Sequence, residues 1–398
     1  MSTVITSAVR KIPMLQRLGV NIPQPLILII ITLFIGLASG VPSVVLIKVF
    51  NTGFGQGLGS FALILIPSFI IAACLSRQPL EGSSGVMALV APVTSAGMVC
   101  PDTAYATLSS AAGRHKLSVA FSSFAGFRLL FPAGPLIVAT GLGVTSNSLL
   151  LTGFLLFLPV WVAGEIWARY RLPSIQIDSL ENKQSSVFSW SLVRALLPLI
   201  VLGLLLVVGG TINLSAFPLF DFVSRPKGAL LVSAVFALVQ TKPESRRECM
   251  DWALRRSSWL LLVIGAAGAL GSMVMHLFPL AQILPANISD GSVMLVLFGV
   301  AMLLKLIHGS SLATFAVATP LLAPIVHAAA IHPAAAVFAI CLGTIAILPT
   351  DSFYWLVRTD ALVEHSESSA IVTLGGGALL QSVIGFLTLY LLNSFGLV

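Results

Sequence analysis

Gly309-Ser310-Ser311, then Thr319-Pro320, then Pro349-Thr350-Asp351-Ser352-Phe353-Tyr354 run in that order through an apolar C-terminal half. Gly82-Ser83-Ser84, Ala91-Pro92 and Pro101-Asp102-Thr103-Ala104-Tyr105 run in the same order through the N-terminal half. Each copy sets one aspartate among Pro, Gly, Ser and Thr, inside otherwise apolar sequence. A carboxylate is costly at bilayer depth, so an acid kept there marks a functional site by default. One such acid in each half of a duplicated membrane chain points to transport.

The membrane assignment follows from composition. Hydrophobic residues make up 57% of the 398 and charged residues 9%, where a soluble chain carries about a quarter charged residues. Mean hydropathy is +1.02. Windows 25–47, 58–76, 190–210, 257–280, 291–307 and 370–392 are long and apolar enough to cross about 30 Å of hydrocarbon as helices. Period-two alternation does not recur over many short segments, which argues against a transmembrane β-barrel. The expected fold is therefore an all-α polytopic membrane protein of roughly 10–12 membrane segments, with backbone polar groups satisfied inside each helix.

The net charge of +7 is not a nucleic-acid signal. Basic residues gather at segment edges: Arg10, Lys11 and Arg17, then Arg114 and Lys116, then Arg169 and Arg171, then Arg246, Arg247, Arg255 and Arg256. That distribution is the positive-inside pattern and favours a cytoplasmic location for these loops. Residues 1–24 contain no acid and lead into a span without a convincing cleavage site, so an uncleaved first helix is expected. The charged stretch Lys242 to Arg256 reads as a short amphipathic helix lying at the interface. Cys74, Cys100, Cys249 and Cys341 have no metal-binding spacing and read as core thiols. No metal or cofactor is expected. A nucleotide-binding loop is absent, as are serine hydrolase, zincin and deaminase patterns, so neither an ATP motor nor one of those enzymes is indicated.

A polar linker at 171–189 divides the chain into an N-terminal membrane repeat, 1–170, and a C-terminal one, 190–398. Three landmarks support the duplication. Gly53 … Leu58-Gly59-Ser60 resembles Gly265 … Leu270-Gly271-Ser272 at an offset of 212 (265−53). The Gly-Ser-Ser runs are offset by 227 (309−82) and the aspartates by 249 (351−102). The order is preserved while insertions lengthen the second half. The window 291–307 has no separate counterpart in the first half, and whether it spans or half-enters the membrane is left open. Around the aspartates, 82–112 and 309–356 are too interrupted for simple continuous spans. Such breaks are tolerated at membrane depth where protein or a water-filled cavity surrounds them.

A helix beginning at Gly309-Ser310-Ser311 would present unpaired N–H groups and partial positive charge to a carboxylate. Gly82, Ser83 and Ser84 would do the same in the other half. Small residues also serve tight helix packing, and that reading stands beside the first. Thr314 and Ser352 add hydroxyls. Asp102 and Asp351 are the candidate ion-coupling groups, with helix capping as their plainer role. Arg128, deep in the apolar segment 117–141, could pair with a substrate carboxylate, with Asp102, or in a structural ion pair. His308 could titrate or bond a hydroxyl. Glu165 and Arg169 suit a local i, i+4 pair, and Lys305 and Arg358 are expected to snorkel to the interface.

Four stretches resemble the gluconate permease family of gluconate:proton symporters. They are Leu303 to Pro324 (LLKLIHGSSLATFAVATPLLAP), Gly343 to Val357 (GTIAILPTDSFYWLV), Phe131 to Pro135 (FPAGP) and Ile264 to Ser272 (IGAAGALGS). They follow family segments reading approximately R-x-x-Q-G-S-A-T-V-A, N-D-S-G-F-W, P-x-P-G-P and G-A-G-G-A-F-G. The likeness covers most of the chain and is strongest over 260–395. Departures fall around the aspartates: His308 replaces a glutamine, Thr350 an asparagine and Phe353 a glycine. The proline-rich turn lacks a histidine usual in the family, Val99-Cys100-Pro101 replaces bulky residues, and Arg128 has no clear counterpart.

The resemblance implies two inverted repeats whose broken helices meet at a central site. It further implies uptake of a sugar acid with protons across the bacterial inner membrane, and a homodimer. The expectation is a secondary active transporter of gluconate or a related small hydroxycarboxylate. Its partners would be that carboxylate, a coupling proton and membrane lipid. Alternatives are a sodium-coupled carrier of dicarboxylate or short-chain fatty acid, an integral membrane enzyme, and a channel.

Overall fold

A computed structural model describes residues 23–78, 84–145, 148–171, 190–212, 214–277, 289–329, 331–345 and 347–398. The linker expected at 171–189 lies outside the described residues except for Arg171. The first half contains α1 (Gln24–Ala38), α2 (Ser43–Leu75), α3 (Ser84–Met98), α4 (Pro101–Leu108), α5 (Lys116–Leu129), α6 (Gly134–Leu142) and α7 (Leu149–Arg171). The second contains α8 (Trp190–Thr211), α9 (Pro218–Ser224), α10 (Pro226–Gln240), α11 (Pro243–Leu277) and α12 (Asp290–His308). It closes with α13 (Ser311–Ala329), α14 (Pro333–Gly343), α15 (Ser352–Ala361) and α16 (Glu367–Ser394).

Among the described residues there is no strand. Among the described residues eight stretches are long and apolar enough to cross a membrane, or nine if α9 and α10, bent by 79° at Arg225–Pro226, form one span. Three shorter apolar helices, α1, α3 and α14, accompany them. The protein is thus an all-α, multi-pass membrane protein.

Several breaks fall where backbone chemistry demands them. Gly40 has φ +74° and Pro42 precedes α2, so the apolar window 25–47 is two helices rather than one. The window 58–76 is instead the end of the 33-residue α2. Between Pro243 and Leu262 no Gly or Pro interrupts the chain. The charged stretch Lys242 to Arg256 is accordingly not a separate interfacial helix; from Pro243 it forms the first turns of the 35-residue α11. Window 291–307 falls within α12, a continuous 19-residue helix of spanning length. Ser311–Ala329 is also one helix, carrying Pro320 and Pro324 internally, so only part of 309–356 is interrupted.

Helices from the N-terminal part of the chain pack on helices from the C-terminal part. α2 lies along α11, α4 touches α15, and α7 packs on α16. The α2–α11 contact is a glycine seam. A Cβ on Gly53 would collide with the Gly268 carbonyl, and one on Gly268 with the Gly53 carbonyl. Backbones can approach this closely only where side chains are missing, which is how membrane helices gain dispersion energy without a hydrophobic drive. Cys74, Cys100, Cys249 and Cys341 are buried and unpaired.

Candidate functional site

Four interruptions are linked to one another: α3/α4, α5/α6, α12/α13 and α14/α15. Cross-links between them are direct. Ser352 Oγ donates to Asp102 Oδ2 at 2.6 Å, joining the starts of α15 and α4. Gly309, between α12 and α13, presses on the Thr350 carbonyl ahead of α15. Arg128 near the end of α5 donates to the Thr344 carbonyl at 3.4 Å, just after α14. Gly134, at the start of α6, stands against Phe315 of α13.

Asp351 is the N-cap of α15. One carboxylate oxygen accepts the Phe353 N–H at 3.0 Å, satisfying a donor that the helix start leaves open. The other oxygen pairs with Lys305 Nζ at 2.5 Å. Both side chains are essentially shut off from solvent, 5% and 1% exposed. Asp102 sits in the first turn of α4, after an extended Cys100 and with Pro101 opening the helix. Val99 before it holds φ +52°, a costly conformation for a β-branched residue, at the turn that delivers Pro101 and Asp102. Asp102 is half-buried and Ser352 is exposed.

The loop before α13 explains its glycine. Gly309 has φ +73°, and a Cβ there would collide with the Thr350 carbonyl oxygen, so the position requires glycine twice over. Ser310 follows at the N-cap position, with its hydroxyl 3.4 Å from the Ala313 nitrogen and its carbonyl accepting the Thr314 N–H at 2.9 Å. Ser310 and Ser311 line a cavity of about 40 Å³ together with Asp102, Asp351, Ser352 and Arg256. A water needs about 10–15 Å³ of such space, so the cavity has room for a few waters and none for a six-carbon acid.

The structure therefore brings together Asp102, Asp351, Ser352, Ser310 and Ser311, with Gly309 supporting them. Other candidates lie elsewhere. Gly82 and Ser83 fall outside the described residues. Ser84 opens α3, whose 15 residues put it roughly 20 Å from the Met98 end that leads to Asp102. Thr314 is buried with its hydroxyl turned onto the Ser310 carbonyl at 2.8 Å. His308 is half-buried, its Nδ1 2.9 Å from the Leu304 carbonyl within α12. Arg128 is fully buried and, among the described residues, pairs with neither Asp102 nor any other carboxylate. It donates to Ser382 Oγ at 2.6 Å and Gln381 Oε1 at 3.3 Å, and its guanidinium lies 4.0 Å from the Phe124 ring centre. Its contacts tie α5 to α16.

Two basic residues belong to the site against expectation. Lys305 does not snorkel: it lies on the last turn of α12, and its ammonium turns inward to Asp351 and the Gly309 carbonyl. Arg256, expected only as a positive-inside charge, lines the cavity from α11. The other snorkelling candidate, Arg358, instead satisfies the carbonyls of Leu362 and His365 after α15. Glu165 and Arg169 form the expected i, i+4 pair at 2.9 Å. Among the described residues no group of three or more His, Cys, Asp or Glu could hold a metal ion.

With this geometry in place, comparison with known proteins is informative. A family model described as GntP family permease matches residues 116–395, well over half the chain. A low-affinity gluconate transporter of Escherichia coli K12 is 25% identical over 287 residues. That match covers 61% of this chain and 64% of the relative, so the chain spans somewhat less than two thirds of that protein's length. The protein of the same description from Escherichia coli O157:H7 matches equally.

Proposed function

The chain belongs to the GntP permease family, and on that premise we propose that it is a secondary active transporter of gluconate or a related small hydroxycarboxylate, driven by protons. The observation that carries this reading is the Ser352–Asp102 hydrogen bond. It joins two short helices from opposite halves beside a cavity that also holds Asp351, Ser310, Ser311 and Arg256. Arg256 supplies positive charge for an entering carboxylate. Ser310, Ser311 and the start of α13 offer donors for it. Asp102 and Asp351 face the hydroxyls and the coupling ion.

The cavity is too small for the proposed substrate, so binding requires the short helices to separate. The α2–α11, α4–α15 and α7–α16 contacts support two halves related by an inverted repeat, whose relative movement would expose the site to each side in turn. Arg256 belongs to the basic cluster that the positive-inside rule assigns to the cytoplasm, which favours entry to this cavity from that side. The bacterial inner membrane is the location that fits this reading, and the exposed apolar faces of the helices meet its lipid. Uptake of labelled gluconate and of other sugar acids into proteoliposomes under an imposed pH gradient tests the proposal. Gradient-driven uptake that falls on the order of tenfold or more in Asp102→Asn is expected. Uptake indifferent to the gradient, or unaltered in both Asp102→Asn and Asp351→Asn, would overturn it.

A further inference from the structure

We infer that Lys305 is a tethered cation seated where a coupling sodium ion would otherwise bind, so that the site works without sodium. The inference deepens the transport reading above and rests on it for the word coupling, but the seating of the ammonium stands on geometry alone. Lys305 Nζ touches Asp351 Oδ2 and the Gly309 carbonyl, and its side chain is 1% exposed. Carbonyls freed at breaks in membrane helices are donors that hold sodium in transporters, and here a carboxylate stands beside one. Gly309, at φ +73°, ends α12 and leads into α13. Lys305 reaches that carbonyl from four residues back, as a lysine in the last helical turn can.

The ammonium fills this position and cancels the charge of Asp351. Lys305 meets the neighbouring cavity only through Asp351, and the other titratable or charged groups lining that cavity are Cys100 and Asp102 from the α4 side and Arg256 from α11. Among the described residues Asp102 has a hydroxyl partner in Ser352 and no cation within ion-pair distance. Asp102 is therefore the acid without a fixed countercharge, while Asp351 stays paired. The two acids divide between them what a symmetric site would share.

Sodium itself is the probe. Purified wild-type protein is melted in sodium chloride and in choline chloride at equal ionic strength, and the same is done for Lys305→Met. Wild type is expected to melt at one temperature in both salts. Lys305→Met is expected to melt several degrees lower in choline and to regain part of the loss in sodium alone. Lys305→Arg keeps the charge and is expected to show no sodium effect. Should Lys305→Met fail to fold, the neutral pair Lys305→Met/Asp351→Asn takes its place. It is expected to fold and to ignore sodium. Sodium raising the melting temperature of wild type would overturn the inference. So would Lys305→Met without sodium rescue, or a sodium effect on the neutral pair. The melting arms need no substrate, so they stand or fall separately from the gluconate reading.

Discussion

Asp102 and Asp351 line one cavity, each at or near a helix start, yet their surroundings differ in kind. Asp351 is buried, caps α15 and holds a lysine. Asp102 is half-buried, lies one residue inside α4 and receives only a serine hydroxyl. One acid is a fixed anchor, and the other has no fixed countercharge among the described residues. The difference lies in their partners: an ammonium for Asp351 and a hydroxyl for Asp102.

Substitution at the two sites gives the largest expected contrast. Asp351→Asn leaves the Lys305 ammonium buried without its carboxylate, which costs about 3–5 kcal/mol. A large drop in melting temperature is expected. Asp102→Asn removes no ion pair, and its effect on stability is expected to stay within about 1 kcal/mol, while uptake collapses. Equal losses of stability in the two variants would break the comparison.

Next in size are the glycines of the two halves. Gly309→Ala places a Cβ against the Thr350 carbonyl at a positive φ, at a cost of about 1–3 kcal/mol. Lower thermal stability and lost uptake are expected. Gly85, just after the first Gly-Ser-Ser run, has open space around it. Gly85→Ala is expected to be neutral or stabilising by up to about 1 kcal/mol. A smaller effect sharpens the role of Asp102. Ser352→Ala deletes the hydroxyl bonded to it and is expected to cost about 1 kcal/mol, with slower uptake. Smallest of all is Glu248→Gln. Arg77 and Glu248 are 38% and 70% exposed in their ion pair, so melting should move by no more than about 0.5 kcal/mol equivalent, with uptake unchanged.

Much of this was legible in the sequence, for identifiable reasons. Hydropathy fixes which stretches are apolar, and an acid among Pro, Gly and Ser marks where spans break. Those two signals sufficed to predict the broken segments carrying Asp102 and Asp351, and that the two acids belong to one centre. Gly309-Ser310-Ser311 was readable because a positive-φ glycine followed by a serine cap is a local matter. The first Gly-Ser-Ser run reads the same way in sequence, yet Ser84 lies at the far end of α3 from Asp102, a distance that sequence likeness does not report.

Lys305 was misread because hydropathy reports depth along a helix and says nothing of rotation about it. A lysine one turn from a helix end can run outward to the interface or inward to an acid. Only the position of Asp351, 46 residues later, decides between them. Arg256 was hidden for a related reason. Charge suggested an interfacial helix, while the absence of any breaker let α11 continue unbroken past the cavity. The glycine seam between α2 and α11 shows the opposite case. Its members Gly53 and Gly265 were noticed as repeat landmarks, and the structure places them in one interface.

The most direct test is proton movement on adding gluconate to proteoliposomes, followed with a pH-sensitive dye in wild type and Asp102→Asn. Gluconate counterflow in the same vesicles reports whether the variant still binds and exchanges substrate. The account predicts gluconate-dependent proton entry in wild type, and counterflow without proton entry in Asp102→Asn. Proton entry with gluconate persisting in Asp102→Asn would contradict it.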